Sequence, residues 1–240
     1  MFFVIIWQSW IIKCVIYMKI SCVIPIYNEA ERITNVLKAV VGHELIDEVI
    51  VVNDGSTDDS AAVLKNKVGI KFISYQKNRG KSYAVKCGIE ASKNAWIMTI
   101  DADLIGLNKN NITELVNPVL NGDADVSISL RSNSLLIFKL FGLDFVSGER
   151  VFHKSIIGRL NKLGKLPSFG LEAYLNKKII SKKLRLKVVK WTNVITPRKF
   201  VKFGFWHGVK ADISMVLQIV SLFKIRSLIR QFFKMCVLKV

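Results

Sequence analysis

From Lys19 onward the chain alternates short β-branched runs with segments of helical period, which restricts it to a largely parallel sheet covered by helices. The run "ISCVIPI" predicts a first strand, and 29–41 a helix with Ile33, Val36, Leu37 and Val40 on one face. "DEVIVVND" predicts a second strand, followed by a helix over 58–67 with Ser56 or Thr57 as its cap. "IKFISY", a helix over 81–92, "AWIMTID", a helix over 111–120 and the strand "DVSISL" continue the pattern. The expected fold class is α/β, a mostly parallel sheet flanked by helices.

Such sheets bind ligands beyond the carboxyl ends of their strands, where loops and helix N-termini gather. The polar clusters of this sequence fall there. Asn28 and Glu29 follow the first strand, Asp54 the second, Asn78 to Lys81 the third, and Asp101 with Asp103 end the fourth. Four loops converging on one rim are more than a set of unrelated solvated turns.

The 240 residues suffice for one domain with a tail, read here as 18–200 for the domain, 1–17 for an apolar extension and 201–240 for a basic amphipathic tail. A composition 51% hydrophobic and 22% charged fits neither disorder nor a multi-span membrane protein. The net charge of +18 suggests polyanionic partners, whether nucleic acid, nucleotide or anionic lipid. Cys14, Cys22, Cys87 and Cys236 form no C-x-x-C pair, so a reducing cytosol is the simplest setting. His43, His153 and His207 stand apart from one another and read as surface or packing residues. The N-terminal "MFFVIIWQSWIIKCVIYMKI" is interrupted by Gln8, Ser9 and Lys13 and lacks a signal peptide's basic start and cleavage site. It can be a short membrane anchor, a segment packed on the domain, or translated sequence upstream of a start at Met18.

Two motifs carry chemistry. In "IDAD", Asp101 and Asp103 can both reach one hard divalent cation while leaving positions for phosphate oxygens. Alone, D-x-D is as readily an ordinary acidic turn; at the end of a strand on this rim it is a metal-site candidate. In "NRGKSYAV", Asn78, Arg79, Gly80 and Lys81 precede a helix, so a basic pair, a glycine and a positive helix end face an anion such as pyrophosphate. Neither a P-loop nor a G-x-G-x-x-G after the first strand is present, which argues against a P-loop ATPase or a nucleotide-dependent dehydrogenase. Asp54 beside that cradle can accept hydrogen bonds from a nucleobase or ribose, while Asp58 and Asp59 favour the next helix N-terminus.

In order, "VIPIYNEAERI", "VVNDGSTDDS", "NRGKSYAVKCGI" and "TIDADL" resemble family 2 glycosyltransferases of the GT-A fold, most of all the dolichyl-phosphate mannose synthase-like branch of polyprenyl-phosphate sugar transferases. The resemblance covers roughly Ile20 to Leu130. It implies an inverting transfer from a UDP- or GDP-sugar, with Mg2+ or Mn2+ on Asp101 and Asp103. By motif, Tyr27, Glu29 and Asp54 would hold the nucleoside and Arg79 and Lys81 would lie near the diphosphate. Pro25, Asn78, Gly80 and Ala102 would complete the donor site, and Asp103 would assist catalysis.

"VSGERVFHK" resembles an acceptor-side segment in which Arg150 meets an acceptor or donor phosphate, a surface arginine on a helix being the alternative. "FGLEAYLN" resembles the E-D motif that supplies a catalytic base; Glu172 takes the Glu position, and Ala173 replaces the Asp. A hydroxyl acceptor would need Glu172 to take its proton, whereas a phosphate acceptor is already anionic and needs no base, so the departure favours a lipid phosphate.

At about 100° per residue, Leu222, Ile225, Leu228, Ile229, Phe232 and Phe233 share one side of a C-terminal helix and Lys224, Arg226, Ser227, Arg230, Gln231 and Lys234 the other. That helix can lie on an anionic membrane or pack its apolar side on the domain. The expected setting is cytoplasmic and peripheral, at the inner face of the cytoplasmic membrane, acting on a lipid phosphate or glycan acceptor and without nucleic acid. The alternatives are a soluble transferase to a small phosphorylated acceptor, a non-catalytic nucleotide-sugar-binding scaffold, and a polyanion-binding protein.

Overall fold

A computed structural model describes residues 19–166, 170–197 and 225–240. The N-terminal extension, the first part of the tail, Cys14 and His207 lie outside the described residues.

Seven strands form one sheet: β1 (Ile20–Ile26), β2 (Ile46–Asp54), β3 (Lys71–Tyr75), β4 (Trp96–Thr99), β5 (Val126–Arg131), β6 (Arg150–His153) and β7 (Leu186–Trp191), in the order β3-β2-β1-β4-β6-β5-β7. Only β6 runs against its neighbours, pairing antiparallel to β4 and β5. The helices are α1 (Ile33–Val40), α2 (Ser60–Leu64), α3 (Lys81–Ala91), α4 (Lys109–Leu120), α5 (Leu136–Phe141), α6 (Gly170–Ser181) and α7 (Ile225–Val237).

β1 is buried along its whole length, which is why it reads as a continuous apolar run rather than an alternation. Ile20, Cys22, Ile24 and Ile26 face one side and pack with α1 and α4, through Ile33, Leu37, Ile112 and Leu115. Val23 faces the other side, with Val85 and Ile89 of α3, Leu171 and Leu175 of α6, and Phe232 and Met235 of α7. Pro25 lies past Val23, the last β1 residue paired with β4, so its missing N–H falls where the strand has a ladder partner only in β2.

Helix starts differ from the sequence expectation for local reasons. α4 begins at Lys109 because Asn108 and Asn111 close a reciprocal capping box, each side chain accepting the other's backbone N–H at 3.1 Å. α2 is only Ser60–Leu64, since the side-chain oxygens of the expected caps are used elsewhere: Ser56 Oγ accepts from Asn28 N and Thr57 Oγ1 from Asn28 Nδ2. The described end of the tail is fused to the domain. Leu186 N donates to Leu238 O at 2.9 Å and Val240 N to Leu186 O at 3.0 Å, alongside the buried Phe232 and Met235. Gln231, expected on the polar side of this helix, is buried as well.

Candidate active site

The rim is built by lacing one loop to the next. Asn28 takes a left-handed conformation (φ 56°), which asparagine tolerates better than most side chains. From there its Oδ1 accepts Thr57 N at 2.8 Å while its own N–H donates to Ser56 Oγ at 3.0 Å. Glu29 N donates to Ser60 Oγ (2.9 Å), and Asp58 bridges the two loops by accepting both Ala30 N (3.1 Å) and Ser60 N (3.0 Å). Burial pushes the Asp58 carboxyl up, but these hydrogen bonds outweigh it and hold it below its ordinary range. Asp58 thus does more than favour the helix start; it ties β1's loop to β2's.

The next lacing joins β2 to β3. Gly55 has φ 70° and sits where a Cβ would stand 2.7 Å from Asn78 N and 2.8 Å from Lys77 C, so only glycine lets the two loops approach. Asp54, 3% exposed, receives Arg79 N on Oδ1 and Gly80 N on Oδ2, both at 2.8 Å. Its carboxylate therefore shapes the basic loop, and each oxygen keeps capacity for one further donor. The Arg79 side chain is engaged by Tyr83, its guanidinium 3.6 Å from the centroid of the ring and hydrogen-bonded to the hydroxyl.

Lys81, the first residue of α3, reaches back across the sheet. Its ammonium lies 2.7 Å from Asp101 Oδ1 and 2.9 Å from Glu172 Oε1. Burial would lower Lys81, but the two carboxylates prevail and hold it above its ordinary range. Gly148 makes this cluster possible: a Cβ there would stand 2.6 Å from both Asp101 oxygens and 2.7 Å from Lys81 Nζ. Thr99 Oγ1 fixes that glycine by donating to its carbonyl at 2.7 Å.

Beneath lies a buried charge network that the sequence reading did not single out. Glu149, 0% exposed, accepts from Ser129 Oγ and Ser147 Oγ, both at 2.6 Å, and from Arg131 at 3.2 Å, while Arg131 also reaches Asp144 at 3.3 Å. Burial raises the Glu149 carboxyl even though Arg131 opposes it. In the sequence this network shows only in the "SGER" segment, where Gly148 and Glu149 directly precede Arg150.

The resulting cleft, of about 340 Å³, is lined by Pro25, Tyr27, Glu29, Asp54, Asn78, Gly80, Lys81, Asp101, Ala102 and Asp103, together with Ile26. Ten expected residues thus meet at one place. Arg79, Arg150 and Glu172 are not among the lining residues.

Arg150 was expected beside a phosphate or on a helix surface. It stands instead on β6, 1% exposed, donating to Ser147 O, Asn176 Oδ1 and Phe145 O at 2.7–2.8 Å, because β6 is an interior strand and burial demands partners for every guanidinium donor. Glu172 is 3% exposed, with Oε1 on Lys81 and Oε2 buried and without a hydrogen bond among the described residues. Ala173 packs in the core beside it.

A family model described as Glycosyl transferase family 2 matches residues 21–157, more than half of the chain and spanning every loop of the cleft. The chain belongs to glycosyl transferase family 2. Within that family it is similar to poly-beta-1,6-N-acetyl-D-glucosamine synthase of Staphylococcus epidermidis, 34% identical over 90 residues that make up 36% of this chain and 22% of the relative. It is also similar to dodecaprenyl-phosphate galacturonate synthase of Rhizobium johnstonii, 25% identical over 179 residues, 63% of this chain and 53% of that one. This chain therefore spans about half or less of the length of these two relatives. Among solved structures, glucosyl-3-phosphoglycerate synthase from Mycobacterium tuberculosis, in complex with Mn2+, UDP and phosphoglyceric acid, superposes with a TM-score of 0.66 at 22% identity, covering 80% of this chain and 75% of that one. The fold is that of a family 2 glycosyltransferase.

Asp101 and Asp103 suit a hard divalent cation in kind, as two carboxylates on one turn lining the cleft. Among the described residues no group of three or more His, Cys, Asp or Glu could hold a metal, so a cation here would take its remaining oxygens from substrate and water. That is the usual situation of Mg2+ beside a phosphorylated substrate.

Proposed function

We propose that the protein transfers a sugar, with inversion, from a UDP- or GDP-sugar to a polyprenyl phosphate at the membrane face. The observation that carries the donor half is the meeting of Asp101, Asp103 and the Asp54-held Gly80 backbone in one cleft with the exposed ring of Tyr27. Tyr27 offers a face for the base, and Asp54 accepts from the nucleoside. The Gly80 and Lys81 end of α3 faces the diphosphate. Mg2+ or Mn2+ on Asp101 and Asp103 supplies charge stabilisation for the leaving diphosphate.

The acceptor half rests on Glu172. One of its oxygens is engaged by Lys81 and the other is buried, so it presents no base to an incoming hydroxyl. An acceptor that is already anionic attacks without one. A lipid phosphate meets that requirement, in keeping with the Rhizobium relative's name. A small phosphorylated acceptor meets it only where its phosphate, and not a hydroxyl, is the attacking group. Among the described residues no helix is long and apolar enough to cross a membrane.

Calorimetric titration with UDP-glucose and GDP-mannose, with and without Mn2+, on wild type and Asp103→Ala tests the donor half. Metal-dependent binding of one nucleotide sugar, lost in the variant, is the expected result; binding of neither would overturn the donor half and leave the polyanion-binding reading. Transfer to undecaprenyl phosphate compared with 3-phosphoglycerate then separates the two acceptors.

A further inference from the structure

α5 is a helix of almost pure apolar sequence, LIFKLF, with no buried residue. Leu136 (73% exposed), Ile137 and Leu140 (75%) project to solvent, and Leu135 ahead of the helix does the same. A helix this short does not hold together in water on its own account. It is held by Phe138, whose ring lies 5.4 Å from Phe145 and 6.1 Å from Phe232, and by a left-handed Gly142 that closes its C-terminus.

The tail extends this surface. α7 does not choose between packing on the domain and facing outward; it does both. Phe232 and Met235 enter the core, while Ile229, Phe233 and Val237, four residues apart in turn, form an exposed apolar stripe. Phe141 bridges the two helices, its ring 5.2 Å from Phe232 and 5.9 Å from Phe233. Around this patch stand Lys139, Arg230, Lys234 and Lys239, the last donating to Phe141 O at 2.6 Å. Neither helix carries an acidic residue.

We propose that the α5–α7 patch is a docking surface for an anionic lipid bilayer, with the exposed leucines and phenylalanines in the acyl boundary and the cations among the headgroups. An apolar patch bordered by cations is the chemistry of an interfacial segment. A second copy of the chain is the poorer occupant, because two such faces would oppose lysine and arginine to lysine and arginine.

α5 hangs on the connection between Arg131 at the carboxyl end of β5 and Gly148 beside Asp101, and Asp144 pins it by accepting from both Ser134 and Arg131. The docking surface does not depend on the lipid-phosphate reading above.

The experiment is co-sedimentation of the full chain with phosphatidylcholine vesicles, with and without phosphatidylglycerol, for wild type, Leu136→Ser/Leu140→Ser and, as a control on the opposite end of the sheet, the exposed Val68→Ser. Wild type should bind the anionic vesicles and release at high salt. The double variant should lose about tenfold in partitioning, and Val68→Ser should match wild type. Absence of wild-type binding, or equal binding by the double variant, overturns the proposal. So does a wild-type dimer in sedimentation velocity that the double variant turns into monomer. Donor calorimetry on wild type fails or succeeds independently of vesicle binding, so loss of the transferase reading and loss of the docking surface are distinguishable.

Discussion

Replacing Gly148 by alanine adds one methyl group against Asp101 and Lys81, two residues that line the cleft. The residue does not have a positive φ, so alanine brings no backbone strain, and the effect comes from the Cβ alone. That Cβ would stand 2.6 Å from both Asp101 oxygens. Ordinary C···O contacts begin near ~3.3 Å, so the carboxylate must withdraw by about 0.7 Å. The Lys81 ammonium, 2.7 Å away, ends a flexible chain and can swing aside. Asp101 has a short side chain at the end of β4, and Thr99 Oγ1 prevents Gly148 from retreating instead. Displacement of a positioned group by ~1 Å costs on the order of 100-fold in rate. The expected loss in kcat/KM is therefore about 30–100-fold, or about 2–3 kcal/mol of transition-state stabilisation. Mn2+ titration by calorimetry should weaken in parallel, while urea unfolding should lose less than the ~3 kcal/mol expected for removing the Lys81 ammonium, since its charge is shifted and not deleted. Wild-type Mn2+ affinity and turnover in a folded Gly148→Ala protein would refute the reasoning, and so would loss of both only through global unfolding.

Asp54→Asn replaces a carboxylate that accepts two backbone N–H groups with an amide that can accept only at its oxygen; it should lower stability by about 2–3 kcal/mol and weaken donor binding, read by urea titration and calorimetry. Lys81→Met leaves Asp101 and Glu172 without their shared cation and should destabilise the fold by on the order of 3 kcal/mol in the absence of metal, with Mn2+ restoring part of it; no dependence on Mn2+ would contradict the pairing. For Asp58, the folded carboxyl sits below its unfolded value, so its contribution is present above about pH 4 and is lost as pH falls through the lower folded value. Asp58→Asn should therefore reduce the slope of stability against pH on the acid limb, measured by unfolding at a series of pH values.

The parts of the protein legible in its sequence are those decided by neighbours along the chain. A β-branched run buried on both faces, as in Ile20–Ile26, announces a central strand, and parallel topology then sends the residues after each strand to one rim. Hence Asp54, Gly80, Asp101 and Asp103 are gathered at one rim by the order of strands and loops in the sequence alone. Helix starts were less legible, because caps such as Ser56 and Thr57 were claimed by Asn28 from another loop. The surroundings of Gly148, Arg150 and Glu172 are decided only by tertiary structure. Their partners are Asp101 and Lys81, Phe145 and Asn176, and Lys81 again, groups brought together when β6 inserts antiparallel between β4 and β5 and α6 folds against α3. The tail makes the same point. Its period shows that apolar residues recur, but which of them is inward depends on where Phe145 and Phe138 wait to receive a ring, and so Phe232 is buried while Phe233 beside it faces out.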